Sequence, residues 1–137
     1  MRFMAAAGFR DDVRGLVYVE YTDSARLGAV IGSHTLKIRK ERGAAYPKSP
    51  DGHGWGYGGS AAAQLSMDML WEVYGAQPDP SLIQQFKAVF VAKLDQESGW
   101  TATEAHVRDL VDGLGGWKPA YPEEPVEARS VWSERPR

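Results

Sequence analysis

Gly54-Trp55-Gly56-Tyr57-Gly58-Gly59-Ser60 is the stretch that divides this 137-residue chain. Four of its seven residues are glycine. Each would weaken a helix or strand by roughly 0.5–1 kcal/mol relative to alanine. The stretch therefore reads as a loop, and the chain on either side of it is patterned differently.

Upstream, residues 13–40 read as β structure. Leu16-Val17-Tyr18-Val19-Glu20-Tyr21 is β-branched and aromatic, and Thr22-Asp23-Ser24 follows as a turn. Arg26–Ile31 forms a second candidate strand, closed by Gly32-Ser33. His34–Arg39 alternates, with Leu36 and Ile38 on one face and Thr35, Lys37 and Arg39 on the other. The short spacings between these runs call for hairpins rather than helical crossovers. Residues 41–53 are irregular, with Pro47, Pro50, Asp51 and Gly52 as turn signals.

Downstream the pattern becomes helical. Ser60 is a candidate N-cap for a helix from Ala61 to Tyr74, and Gly75 would close it. Leu65, Met69, Leu70, Val73 and Tyr74 form its apolar stripe, which Met67 and Trp71 widen until most of the cylinder is buried. Asp79-Pro80 opens a second helix that runs to about Gln96. Thr101-Ala102-Thr103-Glu104 fits a capping box for a third, stopped by Gly115-Gly116. The expected fold is α+β: about three antiparallel strands covered by about three helices, with the Gly-rich loop between them. Residues 1–117 form one domain, and the proline-rich, charged residues 118–137 read as a tail on which Trp132 could dock.

Composition excludes several classes. The absence of cysteine removes disulfide scaffolds and thiolate zinc sites. No apolar run approaches the roughly 20 residues of a membrane helix, and the apolar start is too short for a signal peptide. The expectation is a cytoplasmic protein. Net charge is −2, which argues against general nucleic-acid affinity. The charge is uneven: residues 1–50 hold nine Lys/Arg against five Asp/Glu, and the remainder seven against thirteen. Lys37, Arg39, Lys40, Arg42 and Lys48 form the basic maximum. They read either as a guarded strand edge or as a patch that meets phosphate or an acidic protein.

The loop has the spacing of a dinucleotide fingerprint but not its strand–loop–helix context, and it lacks the lysine of a phosphate-binding P-loop. Two readings remain. Gly58, Gly59 and Ser60 could present a helix N-terminus to an anion, with Trp55 and Tyr57 stacking on a base and Lys87 reaching back from the second helix. Alternatively, Ser60 only caps the helix and the aromatics plug a gap in the core. His34, His53 and His106 are too scattered for a metal site. His53, beside Asp51, is the one acid–base candidate, and with Ser60 these are the residue types of a hydrolytic triad without its spacing. Asp68 and Glu72, like Asp109 and Asp112, read as solvated helix faces. No catalytic residue, metal or cofactor is assigned. Trp71, Trp100 and Trp117 exceed what one small core needs and suggest a symmetric dimer.

Ser49-Pro50-Asp51-Gly52, Trp55–Ser60 and Ala63-Gln64-Leu65 together resemble an uncharacterised domain family of bacteria, archaea, plasmids and phages. The family pattern runs Ser-Pro-Asp-Gly-Phe-x-Trp-Gly-Tyr-Gly-Gly-Ser-Gly-Pro-Ala-Gln-Leu, and the likeness covers about residues 15–114. Ala61-Ala62 replace its Gly-Pro, and His53 replaces its Phe. The resemblance implies a Gly-rich loop feeding a helix and the setting of a phage or mobile-element accessory protein. The resulting expectation is a non-enzymatic binder that counters a host defence. It would do so by blocking a protein complex, as anti-CRISPR proteins do, or by sequestering a nucleotide signal. The alternatives are a nucleotide-directed hydrolase or transferase and a DNA-binding regulator.

Overall fold

The computed structural model describes residues 1–5, 16–23, 25, 27, 29–50 and 52–122. Its strands are β1 (Arg2–Ala5), β2 (Val17–Asp23), β3 (Ala29–Thr35) and β4 (Trp100–Thr103), and its helices are α1 (Ser60–Tyr74), α2 (Pro80–Val89) and α3 (Glu104–Gly113). The sheet is antiparallel, in the order β3-β2-β1-β4. The fold is α+β, as the sequence pattern predicts, with one strand more.

The alternation along β1 and β2 decides which face is covered. Phe3, Ala5, Val17 and Val19 are buried, and Ala102 of β4 joins them through its pairing with Phe3. These side chains meet Leu65, Met69, Leu70 and Val73 of α1, Leu82 and Phe86 of α2, and Val107 and Val111 of α3 in one core. Helix α1 is central, with residues 61–70 all buried.

Several boundaries depart from the sequence reading. β1 and β4 are additions, each only four residues long and paired side by side at Phe3–Ala102. The Thr101 capping box is a strand instead, and Thr103 caps α3 by accepting from the His106 N–H at 3.1 Å. The second strand begins at Ala29, later than Arg26. The strand expected over His34–Arg39 is not a separate strand: β3 runs straight through Gly32-Ser33, where a turn was expected, and ends at Thr35, so two expected strands are one. The reason lies at Arg39, whose backbone bonds to side chains of α1 rather than to a neighbouring strand. Its N–H donates to Asp68 Oδ1 at 3.2 Å, and its carbonyl accepts from Gln64 Nε2 at 2.7 Å. Leu36 is consequently buried while Ile38 is exposed, so the two do not share a face.

Helix α2 stops at Val89 rather than near Gln96, followed by a 3-10 turn at Val91–Lys93. The Val91 carbonyl accepts from the Gly56 N–H of the loop at 3.0 Å. Residues 118–120, assigned from sequence to the tail, are fastened to the α1–α2 link. The Lys118 carbonyl accepts from Asp79 N and the Gln77 carbonyl from Ala120 N, both at 2.8 Å. Trp132 and the rest of residues 123–137 lie outside the described residues. None of the helices described is long and apolar enough to cross a membrane.

Candidate functional site

The Gly-rich loop folds into the protein. Trp55 is 0% exposed and meets Trp100 edge-on at 5.8 Å between ring centroids. This corrects its assignment as a stacking platform, because no external ring can reach it. Tyr57 lies over its own loop: a Cβ on Gly54 would stand 2.6 Å from the Tyr57 hydroxyl, and one on Gly59 2.7 Å from its ring. Gly56 has φ +84°, and a Cβ there would meet the Leu94 carbonyl at 2.7 Å. The glycines at 54, 56 and 59 thus exist for close packing. Gly59, not Ser60, is the N-cap of α1 and has no side-chain bond; Ser60 is the exposed first helical residue. Gly58 is exposed, and its carbonyl accepts from Lys87 Nζ at 3.1 Å. Lys87 does reach the loop, and it serves as a brace across it.

Behind the loop is a buried polar network that corrects two further expectations. Asp68 is fully buried rather than solvated, and His53 is 4% exposed rather than open to a substrate. His53 Nε2 lies 2.7 Å from Asp68 Oδ2. Gln64 donates to the same oxygen at 3.0 Å and accepts from Ser49 N at 2.9 Å. Buried polar groups need such partners, and here they stitch residues 39–53 onto α1. Asp51, the other expected partner of His53, lies outside the described residues.

One turn further along α1, Glu72 faces the sheet rather than solvent. Its Oε2 accepts a short hydrogen bond from the Tyr21 hydroxyl, and its Oε1 accepts from Arg39 at 2.7 Å. Burial pushes the Glu72 carboxyl up, but Tyr21, Arg39 and nearby His34 together hold it below the usual range. Burial and the same carboxylate push the Tyr21 hydroxyl up to about 12. Among the described residues no group of three or more His, Asp or Glu could hold a metal ion.

The basic segment divides in two. Arg39 turns inward to Glu72 and lies 5.7 Å from the Trp71 ring centre, which corrects its place on an open patch. Lys48 pairs with Glu41 at 3.2 Å. Lys37, Lys40 and Arg42 are exposed. Lys40 and Arg42 line an open groove of about 390 Å³ with Trp71, Gly75–Gln77 and Tyr121. The Arg42 guanidinium lies 3.5 Å from the centre of the Tyr121 ring, and Lys40 Nζ donates to the Ala44 carbonyl at 2.9 Å. Trp71, Gln77 and Tyr121 were not singled out from sequence as site residues. From sequence, Trp71 has its place on a broad helix stripe and in the surplus of tryptophans that suggests a dimer, and Tyr121 falls in the tail. Trp117, counted toward a dimer surface, stacks on Tyr74 at 4.2 Å within the protein.

No curated protein and no solved structure matches the chain. A family model matches residues 15–113, which span every element of the fold except β1 and include both the loop and the basic segment. The chain belongs to a family of unknown function (DUF6166).

Proposed function

We propose that this protein is a small non-enzymatic binder, encoded by a phage or mobile element, that counters a host defence by holding an anionic partner in the basic groove. The observation that carries this reading is the groove itself: two exposed cations, Lys40 and Arg42, set against the aromatic walls Trp71 and Tyr121. Cations placed beside aromatic faces at a surface favour an anion with a flat or apolar portion. The burial of His53 speaks against hydrolysis, since its ring meets no solvent-borne substrate without local opening. The helical surface of Asp109 and Asp112 repels a DNA backbone, which disfavours the regulator alternative. The mobile-element setting rests on the resemblance of the loop motif.

The test is phage plating on strains that carry different defence systems. Expression of the protein should restore plating on at least one strain, and the Lys40→Glu/Arg42→Glu double variant should lose that effect while keeping its circular dichroism spectrum. Restoration that survives the double reversal would remove the groove from the reading. Failure on every strain would remove the defence setting.

A further inference from the structure

We propose that β3 is a self-association edge: it pairs antiparallel with β3 of a second copy of this chain across a two-fold axis at Ser33, joining two four-stranded sheets into one. This goes beyond the groove and is independent of what the groove holds.

β3 stands at the end of the sheet order, so among the described residues no strand pairs with its outer side. An open edge offers a row of backbone donors and acceptors to another strand, and proteins ordinarily guard it with lysine, proline or a very short strand. β3 has none of these guards. Its seven residues are all exposed, and they include no Asp, Glu, Lys, Arg or Pro. The basic run that reads from sequence as an edge guard begins at Lys37, beyond the end of the strand. β4, at the opposite edge, is four residues long and passes directly into α3. The one irregularity of β3 is a bulge that leaves Ile31 without a partner on β2 and residues 32–35 in regular register. Val30 and Ile31 are 53% and 61% exposed.

The backbone directions set the register. The Leu36 N–H donates to the Val17 carbonyl at 2.7 Å, so Leu36, His34 and Gly32 turn their backbone groups to β2, while Thr35 and Ser33 turn theirs outward. Antiparallel pairing about Ser33 lets Ser33 exchange both hydrogen bonds with its own copy and sets Ile31 against Thr35, a β-branched pair. The Thr35 carbonyl already accepts from His34 Nδ1 at 2.7 Å and keeps a second lone pair. The occupant is a second copy because an antiparallel edge complements itself under a two-fold axis. The absence of Asp, Glu, Lys and Arg along the strand means that self-pairing brings no like charges together. The contact is one strand long, about 20 Å. That is well short of the about 800 Å² per partner of a tight interface, so a dissociation constant of about 10–100 μM is expected.

Sedimentation velocity of the full chain, from about 5 to about 500 μM, tests this. The mass should rise from 15.1 kDa toward twice that value, and the rise should not weaken at high salt, because no ion pair forms the seam. Ser33→Pro removes an outward N–H without taking one from the β2 ladder. Ile31→Lys places a charge on the edge. Both variants should stay monomeric over the same range with an unchanged circular dichroism spectrum, and Ile31→Lys decides if Ser33→Pro disturbs the fold. Lys40→Glu/Arg42→Glu should dimerise as the native chain does. A mass of 15.1 kDa at every concentration would overturn the proposal. So would a dimer that Ile31→Lys retains, which places the contact elsewhere. A dimer that is lost at high salt and in Lys40→Glu/Arg42→Glu would move the contact to the groove and overturn the edge.

Discussion

The Gly-rich loop and the basic groove flank the same helix, yet their residues are put to opposite uses. At the N-terminal end of α1, the most conspicuous stretch of the sequence is turned inward. Trp55 is sealed against Trp100, and the glycines let Tyr57 and the 90–96 segment press close. At the C-terminal end, an undistinguished collection (a tail tyrosine, a helix tryptophan, a lysine and an arginine) forms an open, positively charged groove. A dense motif here marks a difficult packing problem. The exposed cations of the groove stand instead where the chain turns its side chains outward.

This contrast can be broken by substitution, and the loop side should respond most in stability. Trp55→Ala removes a fully buried indole and should lower the unfolding free energy by about 4 kcal/mol, measured by urea denaturation. A loss under about 1 kcal/mol would mean that the ring is not a core element. Asp68→Ala strands His53, the Gln64 amide and the Arg39 N–H together, and should cost about 3 kcal/mol in the same measurement. Gly56→Ala combines a left-handed backbone with a clash at the Leu94 carbonyl, and should cost about 2 kcal/mol.

The pair linking sheet to helix sharpens the comparison through pH. Glu72→Gln should destabilise the protein by about 1 kcal/mol near pH 7. Because the Glu72 carboxyl is held below its ordinary value in the fold, its contribution is present above the unfolded-state pKa. It is lost as pH falls through the folded value. The difference between wild type and variant should therefore shrink in acid. Tyr21 works in the alkaline range. With its hydroxyl pushed up to about 12, the folded state keeps a proton that the unfolded chain releases near the ordinary tyrosine value of about 10. Stability should fall as pH rises between these values, and Tyr21→Phe should flatten that fall. On the groove side, Lys40→Glu/Arg42→Glu should cost about 1 kcal/mol, chiefly the lost contact of Arg42 with Tyr121, still well below the loop variants.

Much of the scaffold was legible in the residues alone. Asp79-Pro80 and Gly75 punctuate helices by local chemistry, as a cap acceptor, a preset φ and a left-handed closure, and all three stand where expected. The β character of Val17–Tyr21 and the burial of most of α1 follow from apolar periodicity. The polar residues of α1 were not legible. Asp68 and Glu72 share a helical face whether that face meets water or a loop, and periodicity cannot tell the two apart. Their partners Arg39, Ser49 and His53 arrive from an irregular segment that has no period at all. For the same reason the basic run looked continuous along the chain, although the fold divides it between inward pairs and the open groove.

Local sequence, then, determined the α+β class, the principal helices and the need for a tight loop before α1, because capping, turn chemistry and hydrophobic period act over a few residues. Only the tertiary structure decided which aromatics are core and which are surface. Trp55 and Trp71 carry the same side chain within one short stretch of chain. What separates them is the set of distant residues packed on each: Trp100 closing over the first, and Arg39 beside the second in a groove that Tyr121 completes. Periodicity marks a helix as buried, but the burial of a single aromatic is set by the long-range contacts that close over it.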